Sequence, residues 1–378
     1  MESTDTESIM KIKIPKVTYK EAGVFLLLLF LNFKFISIIV IEKRSIIIDL
    51  IVYFLFILTF NYSNWTYKSL FSTFLLVGTY TAINFSSYKL NALTPFIIIQ
   101  NVSGIKFRRY LWINLIITGG MLIFMYFTYG LGEAWINYSD IADRRSRTNF
   151  GFNHPNVAAL YYFCFIVNIM LLLNYSKWKT YIYVYLVIIT PLWLFVYNNT
   201  GSRSFLLAIL VLYVFYFYYF LGTFINKKNL LVVTRYFVLS LLISFSLLTV
   251  FFALESKNFS RLDKILSGRL KLYYNFLNDM TPIDFLFGSN TFERFIIDSS
   301  YLHLLFEGGI IFFLVVSCFY VFATIKMVNK KDWIPVCIIF SFMSYGLMES
   351  MFLYSMLIGT NIIWITLYYY YRNGKMKL

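Results

Sequence analysis

A chain of 378 residues that is 60% hydrophobic and only 13% charged does not read as a soluble globular protein. Apolar runs recur along its whole length, and a helix needs about 20 such residues to cross the hydrocarbon core. The expected fold is therefore all-α, a polytopic membrane helical bundle; the sequence lacks the short alternating segments of an outer-membrane barrel, and its net charge of +15 belongs to loops between spans, with no nucleic-acid partner indicated.

Lys11, Lys13, Lys16 and Lys20 precede the first apolar stretch. No small-residue cleavage site follows, so this stretch reads as a retained first span rather than a removed signal peptide. Spans are predicted near 21–41, 45–60, 69–86, 91–104, 110–130, 155–174, 181–198, 202–222, 231–253, 299–325, 333–350 and 353–371. That is about twelve crossings in a single domain over 1–378, with both termini cytoplasmic and a long outer loop at 254–298. Lys34 and Asp49 are charges near the first two spans with no role apparent from the sequence. Cys164, Cys318 and Cys337 lie inside apolar runs and read as small buried hydrophobes, with neither a disulfide framework nor metal-ligand spacing.

On this topology the short inward loops are rich in Lys, as the positive-inside rule requires. Two outward loops break the bias, and they do so mainly with Arg. One reads Asp143-Arg144-Arg145-Ser146-Arg147; the other carries Arg261, Lys264, Arg269, Lys271 and Arg294. Arg recognises phosphate through a planar, bidentate fork, whereas Lys supplies mostly point charge. Positive charge held there points to an anionic ligand at the outer membrane surface; the alternative is a set of solvated loop charges.

Three spans that start on the outside have unusual N-termini, where unsatisfied N–H groups and partial positive charge favour phosphate. The first is Gly151-Phe152-Asn153-His154-Pro155-Asn156, with Pro155 suited to the first turn and His154 or Asn153 as cap. His154 is either helix punctuation or a group facing substrate. The second is Asn198-Asn199-Thr200-Gly201-Ser202-Arg203, where Thr200 or Ser202 can cap. Arg203 then sits in the first turn, where the dipole disfavours a cation; its partner is either an acid such as Asp298 or Glu307, or a bound phosphate. The third is Ile297-Asp298-Ser299-Ser300-Tyr301, with Asp298 or Ser299 as cap. Glu307 lies eight residues past Ser299, roughly 12 Å down a helix, where a carboxylate needs a partner or a wet cavity. Glu349, near the outer end of the eleventh span, raises the same question more weakly.

Residues 261–277 show helical periodicity. Leu262, Ile265, Leu266, Leu270, Tyr273, Phe276 and Leu277 share one arc, and Arg261, Lys264 and Lys271 the other, as in an interfacial helix. If the helix runs through Gly268, Arg269 points from the middle of the apolar arc toward protein or lipid headgroups.

Taken together, these motifs resemble those of the bacterial O-antigen polymerase and ligase family. Thr200-Gly201-Ser202-Arg203 resembles its TGSR-type helix start. Ser267-Gly268-Arg269-Leu270 and Leu286-Phe287-Gly288-Ser289 are similar to the SGR and LFG elements of its large outer loop. His154-Pro155-Asn156 looks like the HPN element of the capsule and exopolysaccharide repeat-unit polymerases, and Asp298-Ser299-Ser300-Tyr301-Leu302, with Glu307 and Gly309, resembles the segment after the loop. The match covers roughly 148–312. The ligase branch has a His-Asn pair where this chain has Asp298-Ser299, and Phe312 stands where Gly, Thr or Tyr is usual; the missing His leans the resemblance toward polymerase.

The resemblance implies a bacterial plasma-membrane glycosyltransferase, acting without metal or cofactor on a polyprenyl-diphosphate-linked oligosaccharide as donor and another as acceptor. A chain-length regulator and a flippase are the implied protein partners, beside membrane lipid. Displacement at the anomeric carbon needs charge stabilisation on the departing diphosphate and a base for the acceptor hydroxyl. Arg203 and Arg269, supported by Arg145 and Arg147, are the diphosphate candidates. Asp298, His154 or Glu307 is the base candidate. Asn156, Thr200, Gly201, Ser202, Gly268 and Tyr301 shape the site. The chain has no Asp-x-Asp pair for a metal-bound nucleotide sugar. A ligase of finished polymer and a lipid-linked oligosaccharide transporter are the rival readings.

Overall fold

Local capping chemistry sets several helix starts in the computed structural model, which describes residues 17–36, 45–60, 98–130, 137–139, 146–152, 154–222, 244, 247–248, 250–256, 258–265, 268–289, 298–349 and 360–373. Helix α1 (Tyr19–Phe35) opens on a capping box in which Glu21 N donates to the Thr18 hydroxyl and Thr18 N donates to the Glu21 carboxylate. Ser45 caps α2 (Ile46–Thr59). Helix α3 (Phe107–Met125) runs on into a π-helical turn, Tyr126–Gly130.

The arginine-rich loop that follows contains a small antiparallel hairpin, β1 (Asn137–Ser139) with β2 (Ser146–Thr148), in which Tyr138 faces Arg147. Next come α4 (Pro155–Asn174), α5 (Ile182–Thr200) and α6 (Arg203–Gly222). The long loop carries three short helices, α7 (Ser260–Ile265), α8 (Arg269–Asp279) and α9 (Pro282–Phe287). Helices α10 (Ser300–Asn329), α11 (Trp333–Tyr345) and α12 (Asn361–Asn373) complete the described chain.

Helix α4 is the hub. It packs against α3 and α5 and also touches α6 and α11, while α6 lies along α11 and α10 along α12. Two-thirds of its most apolar window is buried (67%), against 22% for α5. The outward faces of α5 and α6 expose Val187, Ile188, Phe195, Val214 and Phe217, side chains that suit hydrocarbon better than water.

Among the described residues five helices are long and apolar enough to cross a membrane: Phe107–Thr128, Pro155–Asn174, Lys179–Thr200, Arg203–Leu221 and Gly308–Asn329; Ile46–Thr59 and Trp333–Tyr345 are shorter apolar helices. The chain is a membrane protein built from helices. The expected spans at 69–86 and most of 231–253 lie outside the described residues; of 91–104, residues 98–102 are helical. Two expected spans have different bounds. Gly309, at φ 72 and ψ 169, breaks α10, so its crossing segment begins at Gly308 rather than 299. Helix α11 ends at Tyr345, four residues short of Glu349.

Lys34 and Asp49 pair with each other at 2.7 Å, with side chains only 16% and 8% exposed. They fasten α1 to α2. A buried charge is tolerated when paired, and this accounts for both. One end of the bundle is laced by polar contacts: Arg109 with Glu21 at 2.5 Å, Asp332 with Asn174 at 2.9 Å and with Tyr175 and Tyr370, and Lys326 with the Tyr371 carbonyl. Of the basic residues expected to face inward, Lys20, Arg109, Lys326 and Arg372 lie at this end. The opposite end holds the candidate site.

Candidate functional site

Two of the three unusual helix starts take the side-chain cap expected of them, and the third does not. His154 is the N-cap of α4, accepting through Nδ1 from Asn156 N at 3.1 Å, with Pro155 in the first turn. Gly201, at φ 61, ends α5 in the left-handed conformation. Of the two cap candidates for α6, Ser202 takes the role: its Oγ accepts from Phe205 N at 3.4 Å, while the Thr200 hydroxyl turns back to donate to Val196 O at 2.8 Å. Ser299 occupies the N-cap position of α10 without a side-chain cap bond, and Asp298 is directed elsewhere.

That direction is toward Arg269. Gly268, at φ 78, breaks the amphipathic run, so residues 260–279 form two helices rather than one. The condition on which Arg269 would point from the middle of one apolar arc is therefore not met. Asp263 ties the two helices together: its carboxylate accepts from Leu270 N at 2.8 Å and Lys271 N at 3.3 Å at the start of α8. The refolded α8 presents one face to the start of α10. Arg269 Nε meets Asp298 Oδ2 at 2.8 Å, Ser299 N donates to Tyr273 OH at 3.2 Å, and Phe276 stacks on Phe306 at 4.5 Å. Arg269 Nη1 also donates to Met348 O at 3.0 Å. The LFG element docks nearby: Ser289 N donates to Phe306 O at 2.8 Å, and α9 ends against Gly309 where no side chain fits.

Glu349 joins the three starts. Its Oε1 accepts from Asn156 Nδ2 of α4 at 2.6 Å and from Ser204 Oγ of α6 at 3.2 Å. Its backbone carbonyl accepts from Ser300 Oγ at the start of α10. Ser300 N donates to Gly346 O at 2.8 Å, and Tyr345 OH donates to Asn156 O at 3.3 Å. Ser202 and Ser204 share a hydroxyl contact at 3.0 Å. Three N-termini far apart in sequence thus meet at one end of the bundle.

The electrostatics follow from burial. Loss of solvent pushes the Asp298 carboxyl above its usual range, while the Arg269 guanidinium and His154 pull it back down. Glu349, beyond the last residue of α11, is pushed up to about 7, chiefly by burial. Arg269 opposes the rise, Asp298 adds to it, and the hydrogen bonds from Ser204 and Asn156 oppose it. A carboxylate held near neutrality is the kind that moves protons.

Comparison with protein families, characterised proteins and solved structures returns no match. The site therefore stands on its own geometry.

Of the sequence candidates, Arg269, Asp298, His154, Asn156 and Ser202 belong to this one cluster, with Gly268 and Gly201 shaping its turns. Arg147 leaves β2 to lie over Gly201, its Nε 3.3 Å from where a Cβ would stand. Arg203 is exposed in the first turn of α6, and Asp298, one of its two suggested acidic partners, is paired with Arg269. Tyr301 is fully buried and donates to Met343 O at 2.8 Å, which ties α10 to α11. Arg145 and Arg294 lie outside the described residues, as does the side chain of Glu307, whose backbone sits two residues before the α10 break. Among the described residues no group of His, Cys, Asp and Glu is arranged to hold a metal ion.

Sequence reading underweighted Glu349 and missed Asp263, Tyr273 and Ser204. A carboxylate at the end of an apolar run was a signal for Glu349. Nothing local marks the other three.

Proposed function

We propose that this chain is a polysaccharide repeat-unit polymerase of the outer face of a bacterial cell membrane. It transfers a polyprenyl-diphosphate-linked glycan onto a second lipid-linked repeat unit. The observation that carries this reading is the meeting of three helix N-termini with the Arg269–Asp298 pair and Glu349 at one end of a membrane bundle. Helix N-termini and guanidinium groups both favour phosphate. The lipid-facing walls suit a substrate anchored by a hydrocarbon tail.

In this reading Arg269, supported by Arg203 and Arg147, takes the negative charge that develops on the departing diphosphate. Asp298 holds Arg269 in position rather than serving as the base, because it is already engaged by the guanidinium at 2.8 Å. His154 accepts its helix-cap bond through Nδ1, so Nε2 is the ring nitrogen that carries the proton.

A gel of lipid-linked saccharides from cells lacking the protein tests the assignment. Accumulation of single repeats is the expected result. Accumulation of long lipid-linked polymer would make it a ligase instead, and a wild-type pattern would end the proposal.

A further inference from the structure

Glu349 differs from the two other carboxylates described above for this site. Asp298 is tied to Arg269, and Asp263 is consumed by the α8 N-terminus. Glu349 is anchored through a single oxygen. Oε1 takes both hydrogen bonds, from Asn156 and Ser204, and its backbone carbonyl is fixed by Ser300. Two helices hold the carboxylate and a third fixes the backbone beneath it, which leaves Oε2 for another partner. Such support by neighbouring hydrogen bonds is what a proton-transfer group requires.

We infer that Glu349 is the general base of the reaction, taking the proton of the acceptor sugar hydroxyl through Oε2. The inference rests on the polymerase reading above. In the step, the acceptor O–H bond breaks and its proton passes to Glu349. The freed oxygen forms the new bond to the anomeric carbon. The bond from that carbon to the diphosphate oxygen breaks, and the electron pair leaves with the polyprenyl diphosphate beside Arg269. Glu349 then returns its proton to solvent before the next cycle. Asn156 and Ser204 act as positioning residues, since they reach the reaction only through Glu349.

Among the described residues, the charged and titratable groups that act on Glu349 are Arg269 and Asp298, from the outer loop and the residues before α10, and Tyr345 at the end of α11; His154 and Arg203 stand at the starts of the two helices, α4 and α6, whose side chains bond it. Arg269 favours the ionised carboxylate and Asp298 disfavours it, and burial outweighs both, holding the group at about 7. Activity therefore rises with pH through that value, because the base works only when deprotonated.

The test uses the full-length purified protein in lipid vesicles, with polyprenyl-diphosphate-linked repeat units extracted from the producing cells as the probe. Wild-type protein that forms no polymer overturns the polymerase reading itself, whatever Glu349 does. With an active wild type, Glu349→Gln, which keeps an oxygen for Asn156 and Ser204, lowers kcat by about 100-fold or more and leaves KM within roughly threefold. Its residual activity also loses the acid limb. A kcat within about threefold of wild type overturns the inference, as does a loss confined to KM. If Glu349→Gln fails to fold, Ser204→Ala decides. Removing a donor to the carboxylate raises its pKa, so the acid limb moves to higher pH; an unmoved limb overturns the inference.

Discussion

Three glycines provide an internally controlled test of how the outer loop is docked. Gly120 lies in α3 with nothing within 4 Å of a Cβ built upon it. Gly268 has equally open surroundings but a φ of 78. Gly309 combines φ 72 and ψ 169 with a Cβ position 2.6 Å from Gly288 N that also overlaps the Leu286 carbonyl. Alanine at Gly120 should be neutral or stabilising by up to about 1 kcal/mol, since helix propensity improves and nothing clashes. Alanine at Gly268 should cost about 1–2 kcal/mol, the strain of a left-handed residue with a Cβ. At Gly309 the conformation alone costs about 1–3 kcal/mol. Forcing α9 off the α10 break adds about 1–3 kcal/mol more, because backbone rather than a flexible side chain must move. Thermal unfolding of the purified variants in detergent should rank Gly120→Ala as most stable, Gly268→Ala next and Gly309→Ala last. Gly309→Ala should also lose polymer synthesis, because the same half-helix carries Asp298 and Ser300 to the site. Equal unfolding temperatures for Gly309→Ala and Gly120→Ala would refute the docking of the loop on the break.

Other consequences are as direct. Asp49→Asn leaves the Lys34 ammonium buried without its counter-charge and should cost about 3–5 kcal/mol; the double change Lys34→Met with Asp49→Leu should recover most of that loss in the same unfolding assay. Arg203→Ala and Arg269→Ala should each abolish polymer in cells while immunoblots still find the protein in the membrane. Arg269→Lys should fail nearly as badly, because Nε and Nη1 serve Asp298 and Met348 at once and a single ammonium cannot reproduce that fork; polymer yield near wild type from Arg269→Lys would reduce its role to simple charge.

What the sequence made legible is what local chemistry decides. His154-Pro155 starts a helix because the imidazole can accept from Asn156 N and proline suits the first turn. Gly201-Ser202 ends one helix and caps the next within two residues. These signals span a few positions, so they survive without knowledge of the fold. Residues 261–277 stayed open between one helix and two because apolar periodicity continues across Gly268, and periodicity does not register a left-handed residue. What starts the second helix there is Asp263, whose carboxylate caps amide groups seven and eight residues later. Glu349 was hardest to weigh. Its partners Asn156 and Ser204 lie 193 and 145 residues away, and only the packing of α4, α6 and α10 brings them together. Lys34 and Asp49 were unexplained for the same reason, each needing a neighbouring helix to supply its partner.

The central claim is that this end of the bundle lengthens lipid-linked glycans. Purified protein in vesicles, supplied with lipid-linked single repeats already on the leaflet that faces the site, tests it most directly. The account predicts a ladder of products growing by whole repeats while free polyprenyl diphosphate is released. Repeats that stay single, even if they cross the bilayer, would contradict it.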